Sequence, residues 1–347
     1  MSKALNDNKM VKLENPISMR LMDESESGTN TLSSVSAVHC AQNRDKIVSR
    51  LSCALADRFG ITPNEQMAKK LHRIFSKMPS VEFHRRVIEL TSLPSGHQSW
   101  LDLVARLTVH ETYFFRDEPQ LEMLQNVMLS HAIRKATRTS SPSIRILSAG
   151  CSTGEEVYSI AILALSALLE AGYAYGTKNT GVEIMPGWKL EVLGLDVSAD
   201  ALCIARKASY SEEGLGSFRN MDSQWLDWFD EFEVTSLQES EAGLYSQSYR
   251  QPKKFIRNVT DFHQHNLLQS SAHFGLFDLV ICRNTMIYFN DANKRTAQNY
   301  LFDRLKSDGV LLLGATDPLL CPERCEQRRS NGMAYCTKKQ PSLSQAN

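Results

Sequence analysis

The sequence predicts an α/β fold, a Rossmann-like open sheet with a small inserted β-subdomain, preceded by a small all-helical domain. Three stretches carry that expectation. From Ile144 to Leu165, IRILSAGCSTGEEVYSIAILAL reads as a buried strand, a sharp turn permitted by Gly150 and Gly154, and a buried helix. Leu190 to Leu195 reads as a second strand that ends at Asp196. Phe277 to Cys282, FDLVIC, reads as a fully buried strand, and RNTMIYF comes directly off its carboxyl end. Ligands of open α/β sheets bind beyond the carboxyl ends of the strands. Gly150, Asp196, Arg283, Asn284 and Tyr288 are therefore expected at one edge.

The turn from Ala149 to Glu155 lacks the lysine of a phosphate loop and the third glycine of a dinucleotide fingerprint. Glu155 places a carboxylate at the helix start, where it repels a pyrophosphate and attracts an ammonium or sulfonium. The plainer alternative is a structural turn whose glutamate merely suits the helix dipole.

The 347 residues suffice for one large domain or a small and a medium one, and 42% are hydrophobic, enough for an ordinary core. Lys plus Arg equals Asp plus Glu, at 39 each, so the overall charge gives no argument for nucleic acid or membrane. No apolar run is long enough to span a bilayer, and the amino terminus lacks a secretory pattern, so a cytoplasmic location is expected. The eight cysteines are scattered and expected to be reduced. Cys321, Cys325 and Cys336 lack a supporting histidine or fourth cysteine, which favours free thiols on a surface loop over a metal site.

In chain order, residues 1 to about 43 read as a disordered polar tail. A helix is expected from Asp45, with Ile47, Leu51, Leu55 and Phe59 on its buried stripe and Gly60 as its stop. Thr62, Pro63 and Glu65 signal the start of a second helix. Its buried stripe is Met67, Leu71, Ile74, Phe75 and Met78, opposite Lys69, Lys70, Arg73 and Lys77. That basic ridge is either a solvated face or a docking face for an acidic partner. The helical domain spans 44–107 and the α/β domain 108–340, with a tail at 341–347.

Thr108 to Asp117 concentrates aromatics around Arg116, a guanidinium suited to gripping a carboxylate. Ala171 to Gly187 shows no clear period. Asp196 is placed to accept the hydroxyls of a ribose, or else only shapes the turn that Ser198 caps. Residues 231–257 read as an inserted hairpin or small β-subdomain. A helix from about Asn293, with Asp291 as its cap, a strand from Gly309 to Leu313 and a closing strand from Met333 to Thr337 complete the sheet, one strand of it antiparallel.

Taken together, LTVHETYFFRDEPQLEML, SAGCSTGEEVYSIA, LGLDVSADALCIAR, the Asn-Leu-Leu at 266–268, FDLVICRNTMIYF and LKSDGVLLLG resemble, in order, the CheR-type chemotaxis protein methyltransferases. The resemblance covers about residues 45 to 338. It implies methyl transfer from S-adenosylmethionine to receptor glutamates, an acidic protein substrate docking on the basic helix, and no metal. It also implies roles. His110, Thr112, Arg116 and Glu155 belong at the methionyl end of the cofactor, Asp196 at the ribose, Asn266 and Leu267 at the adenine, Arg283 and Asn284 near the reacting end, and Tyr288 facing the methyl. Arg283 and Tyr288 are the catalytic candidates.

The chain departs from the family pattern at several places. His110 stands where the family has Asn, Ala208 replaces a glycine, Gly-Ala-Thr-Asp at 314–317 replaces Gly-His-Ser-Glu, and the glycine-rich pattern for docking a receptor-tail pentapeptide is absent from the hairpin. The chemistry needs no general base, because a glutamate with a reference pKa of about 4.3 is already ionised at neutral pH. The competing expectation is a regulatory module that binds the cofactor without turnover, or an enzyme for another acidic acceptor.

Overall fold

A computed structural model describes residues 33–61, 65–108, 111–213, 216–236, 245–270 and 274–339. The chain divides into Met1–Asn43 and a second, compact unit, Arg44–Asn347, which holds the sheet and every element after the first helix. The chain's first helix, α1 (Ser33–Phe59), begins before the expected Asp45, inside the stretch read as a polar tail, and its part from Arg44 on belongs to the second unit. It stops at Gly60, whose φ of 69° is the left-handed geometry of a helix end. Helices α2 (Glu65–Ile74), α3 (Ser80–Ser92) and α4 (Gln98–Leu107) follow.

Their apolar stripes meet in one core that includes Leu51, Leu55, Leu71, Phe83, Val87 and Trp100. Arg58 locks this bundle: its Nη2 donates to Thr91 O at 2.6 Å, and its guanidinium lies over the Trp100 ring. Thr62 and Pro63 lie outside the described residues.

A helical stretch leads into the sheet: α5 (Glu118–Met123), a π-helical turn at Leu124–Leu129, and α6 (Ser130–Ala136). The strands and helices after it are β1 (Ser143–Ala149), α7 (Glu155–Glu170), β2 (Ala174–Thr177), β3 (Gly181–Ile184), β4 (Lys189–Asp196), α8 (Ala199–Lys207) and β5 (Tyr210–Ser211). A 3₁₀ turn at Ser223–Trp228 precedes β6 (Phe229–Ser236), β7 (Tyr245–Pro252), α9 (Lys254–Arg257), β8 (Thr260–Gln264) and β9 (Phe277–Cys282). Then come a 3₁₀ turn at Met286–Tyr288, α10 (Asp291–Asp303), β10 (Leu305–Leu313), β11 (Cys325–Ser330) and β12 (Met333–Lys338).

Seven strands form one sheet in the order β11-β12-β10-β9-β1-β4-β8. The five from β10 to β8 run parallel, and β12 is antiparallel to both of its neighbours. This is the Rossmann-like sheet with an antiparallel strand. Alternation along the strands supplies two cores: Ile144, Ile146, Val192, Leu279 and Ile281 face one side, and Leu147, Leu193, Leu195, Val280 and Cys282 face the other. Because both faces are covered by helices, the strands read as continuous apolar runs. The order reverses at β1, which lies between β4 and β9, and a crevice opens there at the carboxyl ends.

Several expectations need correction. The connection from Ala171 to Gly187 contains the antiparallel pair β2 and β3. Helix α10 is capped by Asn290, whose side chain accepts from the Asn293 N–H at 2.8 Å, and Asp291 is already its first residue. Cys321, Cys325 and Cys336 are buried free thiols, not surface ones. Among the described residues no His, Cys, Asp and Glu group could hold a metal, and no helix is long and apolar enough to cross a membrane. The hairpin read at 231–257 is β6 and β7, with β5 pairing on the outer side of β7.

Candidate active site

Close approach of backbones creates the site. A Cβ at Gly150, where φ is 80°, would lie 2.1 Å from Thr285 Oγ1, so only glycine lets the β1 turn meet the loop that leaves β9. The result is a cavity lined by Thr112, Arg116, Gly150, Asp196, Asn266, Leu267, Arg283 and Asn284. The helical region contributes Phe59, Ile61, Val104 and Thr108 to its wall, and Ile61 pairs as an isolated bridge with Phe289. One side is thus apolar, and the other carries carboxylates and guanidinium groups.

Asp196 answers both readings at once. Its Oδ2 accepts from Ser152 N and its Oδ1 from Ser198 N, each at 2.8 Å, so it ties the β1 turn to the β4 turn. A carboxylate oxygen can accept a second bond, and this one lines the cavity. Asn266 is similarly engaged: its Oδ1 accepts from Leu268 N at 3.0 Å, and its Nδ2 donates to Arg58 O at 3.4 Å.

Arg283 lies deeper than expected. Its side chain is 3% exposed, its Nε donates to Glu156 Oε2 at 2.7 Å, and its Nη1 donates to Arg116 O at 2.8 Å. Glu156 also accepts from Ser148 Oγ at 2.7 Å. A guanidinium so committed pins β9 to α7 and to the 111–117 segment, and is poorly placed to clamp an incoming carboxylate. Arg116 is the more open cation. Its Nη1 donates to Glu111 O at 2.9 Å, and its guanidinium lies over the Tyr113 ring, which Arg219 covers as well.

Glu155 departs from expectation. It is buried but is not among the cavity-lining residues; Glu156, one position on, is. Neighbouring helix positions point about 100° apart, so only one of the pair faces the crevice. Thr153 Oγ1 and Ser217 Oγ donate to Glu155 at 2.6 and 2.7 Å, and burial raises its pKa against those bonds. His110 lies outside the described residues, as does the side chain of Tyr288. The backbone of Tyr288 closes a 3₁₀ turn between Thr285 and Phe289, both of which line the cavity.

Sequence reasoning missed Glu156, Ser152, Thr285 and the wall from the helical region. A signal for Glu156 existed, since an arginine following a buried strand needs a buried counter-charge. His265 was also missed. It lines the cavity beside Asn266, its ring tilted against that of Tyr300 with the centroids 5.0 Å apart, and burial lowers its pKa.

A family model described as CheR methyltransferase, SAM binding domain, matches residues 110–333. A chemotaxis protein methyltransferase of Borreliella burgdorferi is 26% identical over 279 residues, 78% of this chain and 88% of that protein. Chemotaxis protein methyltransferase 1 of Pseudomonas aeruginosa is 30% identical over 217 residues, 62% of this chain and 69% of that protein.

Proposed function

The chain belongs to the CheR methyltransferase family, with S-adenosylmethionine as its cofactor, and from that premise we propose that it esterifies glutamate side chains of a chemoreceptor-like protein. The observation that carries the proposal is the cavity itself, which sets apolar Phe59, Ile61 and Leu267 beside Asp196, Glu156 and Arg116. A flat base, a ribose diol and an amino-acid end with both charges find matching partners there, so the donor set fits this cofactor. In this reading Asp196 takes the ribose, Asn266 and Leu267 the adenine, Thr112 and Arg116 the amino-acid end, and Asn284 the wall near the transferred group.

The bound cofactor supplies a methyl group on a positive sulfur. The chain's own residues then have little proton work to do, because the acceptor glutamate is ionised already. Their tasks are to hold the carboxylate in line and to exclude water while opposite charges cancel. Arg116 orients the carboxylate, Arg283 keeps the floor rigid through Glu156, and Tyr288 is the candidate to face the transferred methyl. The acidic partner docks on the exposed Lys69 and Arg73 of α2 and on Lys77 in the turn that follows it. Lys70 leaves that group, because its Nζ donates to Leu107 O at 2.8 Å. These reactions take place in the cytoplasm.

The test incubates the protein with methyl-labelled cofactor and membranes carrying candidate receptors. Label released by mild base and mapped to glutamates is the expected result. Label on any other residue type, or cofactor binding without transfer to any acidic protein, ends the proposal.

A further inference from the structure

A buried carboxylate that the proposed reaction does not use stands behind the cavity wall. Asp317 follows β10 and is 6% exposed. Its Oδ2 accepts from the Asn284 N–H at 2.9 Å, and its Oδ1 is buried without a partner among the described residues. Asn284 lines the cavity in a left-handed conformation, with φ at 54°. The fit is tight: a Cβ on Gly314 would lie 2.7 Å from Asp317 Oδ2 and 2.8 Å from Asn284 N. Gly314 N in turn donates to Cys282 O at 3.1 Å, so the turn after β10 grips the loop after β9.

A neutral amide would fill this space more cheaply, because burying a charge with one oxygen unmatched opposes folding. Burial pushes the pKa of Asp317 up to about 6, with the Asn284 N–H, Lys294 and the backbone of Met286 and Gly314 pulling the other way. Cys282 at the end of β9 and Lys294 of α10 face it; burial raises the Cys282 thiol well above its ordinary value, and Lys294 lies near Asp291. Arg283, next to Asn284, is held by Glu156.

We infer that Asp317, as a carboxylate, is a positioning residue for the cofactor cavity: it holds Asn284 in its left-handed conformation and so sets the wall against which the cofactor is bound. The inference rests on the proposed placement of the cofactor in this cavity. Since a hydrogen bond to a charged acceptor is at stake, the expected effect on affinity is about tenfold to a hundredfold.

The probe is S-adenosylhomocysteine, titrated calorimetrically between about pH 5 and about pH 8, a window bracketing the pKa of Asp317. Wild-type affinity should fall at the acid end, Asp317→Asn should bind about tenfold or more weakly at the neutral end, and the step between them should shrink in that variant. His265 also titrates at the cavity, but its contribution survives in both proteins and cancels in the comparison. Thermal unfolding of the same variant separates positioning from mere packing. Removing a buried charge should leave Asp317→Asn at least as stable as wild type at neutral pH, so affinity and stability move apart.

Wild-type affinity and pH profile in Asp317→Asn would overturn the inference, as would a loss of affinity that only tracks a loss of stability. If that variant does not fold, Asp317→Glu keeps the charge and should keep the pH step; its absence there is equally fatal. Asp196→Ala distinguishes the two failures. Weakened binding in Asp196→Ala with no effect at Asp317 rejects the positioning role alone, whereas no effect at either position moves the cofactor out of this cavity.

Discussion

Adjacent glutamates at the start of α7 have opposite fates, and their difference is measurable. Glu156 neutralises Arg283 inside the protein, and truncation to alanine strands a buried guanidinium. Glu156→Ala is expected to cost about 3–5 kcal/mol in denaturant unfolding, the loss typical of a broken buried pair. Glu155 behaves otherwise, because burial holds its folded pKa above the unfolded value. Its contribution favours folding at pH values below the unfolded pKa and is lost as pH rises through the folded one. Glu155→Gln should therefore be as stable as wild type or more so at neutral pH, and lose that relative advantage in acid. Urea midpoints at both pH values check the sign. Asp196 combines the two situations, being both a tie between turns and a lining group. Asp196→Ala should weaken S-adenosylhomocysteine by about 1–3 kcal/mol in calorimetry, and an unchanged affinity in a folded variant would remove the ribose assignment.

At the level of elements, α2 shows how a helical wheel sorts charges that composition cannot. Lys69 pairs with Glu65 at 2.6 Å on the exposed surface, and Arg73 and Lys77 are exposed, whereas Lys70 reaches across to the end of α4. Reversing Lys69, Arg73 and Lys77 to glutamate should leave cofactor affinity unchanged and raise KM for the acidic protein substrate, an effect that shrinks with added salt. A KM indifferent to ionic strength would argue against a docking face. The parallel strands β1, β4, β9 and β10 were legible because each has an apolar run that ends at a glycine, Asp196 or Arg283, whereas β8 has a single buried position, Phe262. The hairpin of β2 and β3 was not legible, since two four-residue strands with one buried position each, Ala174 and Val182, have too little burial to imprint a period. The π-helical turn at Leu124–Leu129 was equally invisible, because a single wider turn inside a helical run is too short to establish a period of its own. Within the site, Asp196 and Arg283 were legible as strand-end residues. The need for a counter-charge to Arg283 was legible too, but that Glu156 supplies it and that Ser152 N binds Asp196 are fixed by how the turns meet.

Across the whole unit, the cavity joins the helical region to the sheet, because the end of α1 supplies one wall and the loop after β9 supplies another. Three contacts cross there: Ile61 bridges Phe289, Asn293 Nδ2 donates to Ala56 O at 3.4 Å, and Asn266 Nδ2 donates to Arg58 O at 3.4 Å. A ligand that touches both walls stabilises them together, by an amount that follows its concentration relative to Kd, about 2.7 kcal/mol at a hundredfold excess. The amides from Ala56 to Ile61 and those from Asn284 to Phe289 should then gain hydrogen-exchange protection in parallel when S-adenosylhomocysteine is added. The carboxyl-end strands β11 and β12, which lie at the far edge of the sheet from β8, provide the internal reference and should change least. Protection confined to the β9 loop, with the end of α1 unaffected, would mean that the helical region merely abuts the cavity and that the ligand is held by the sheet alone.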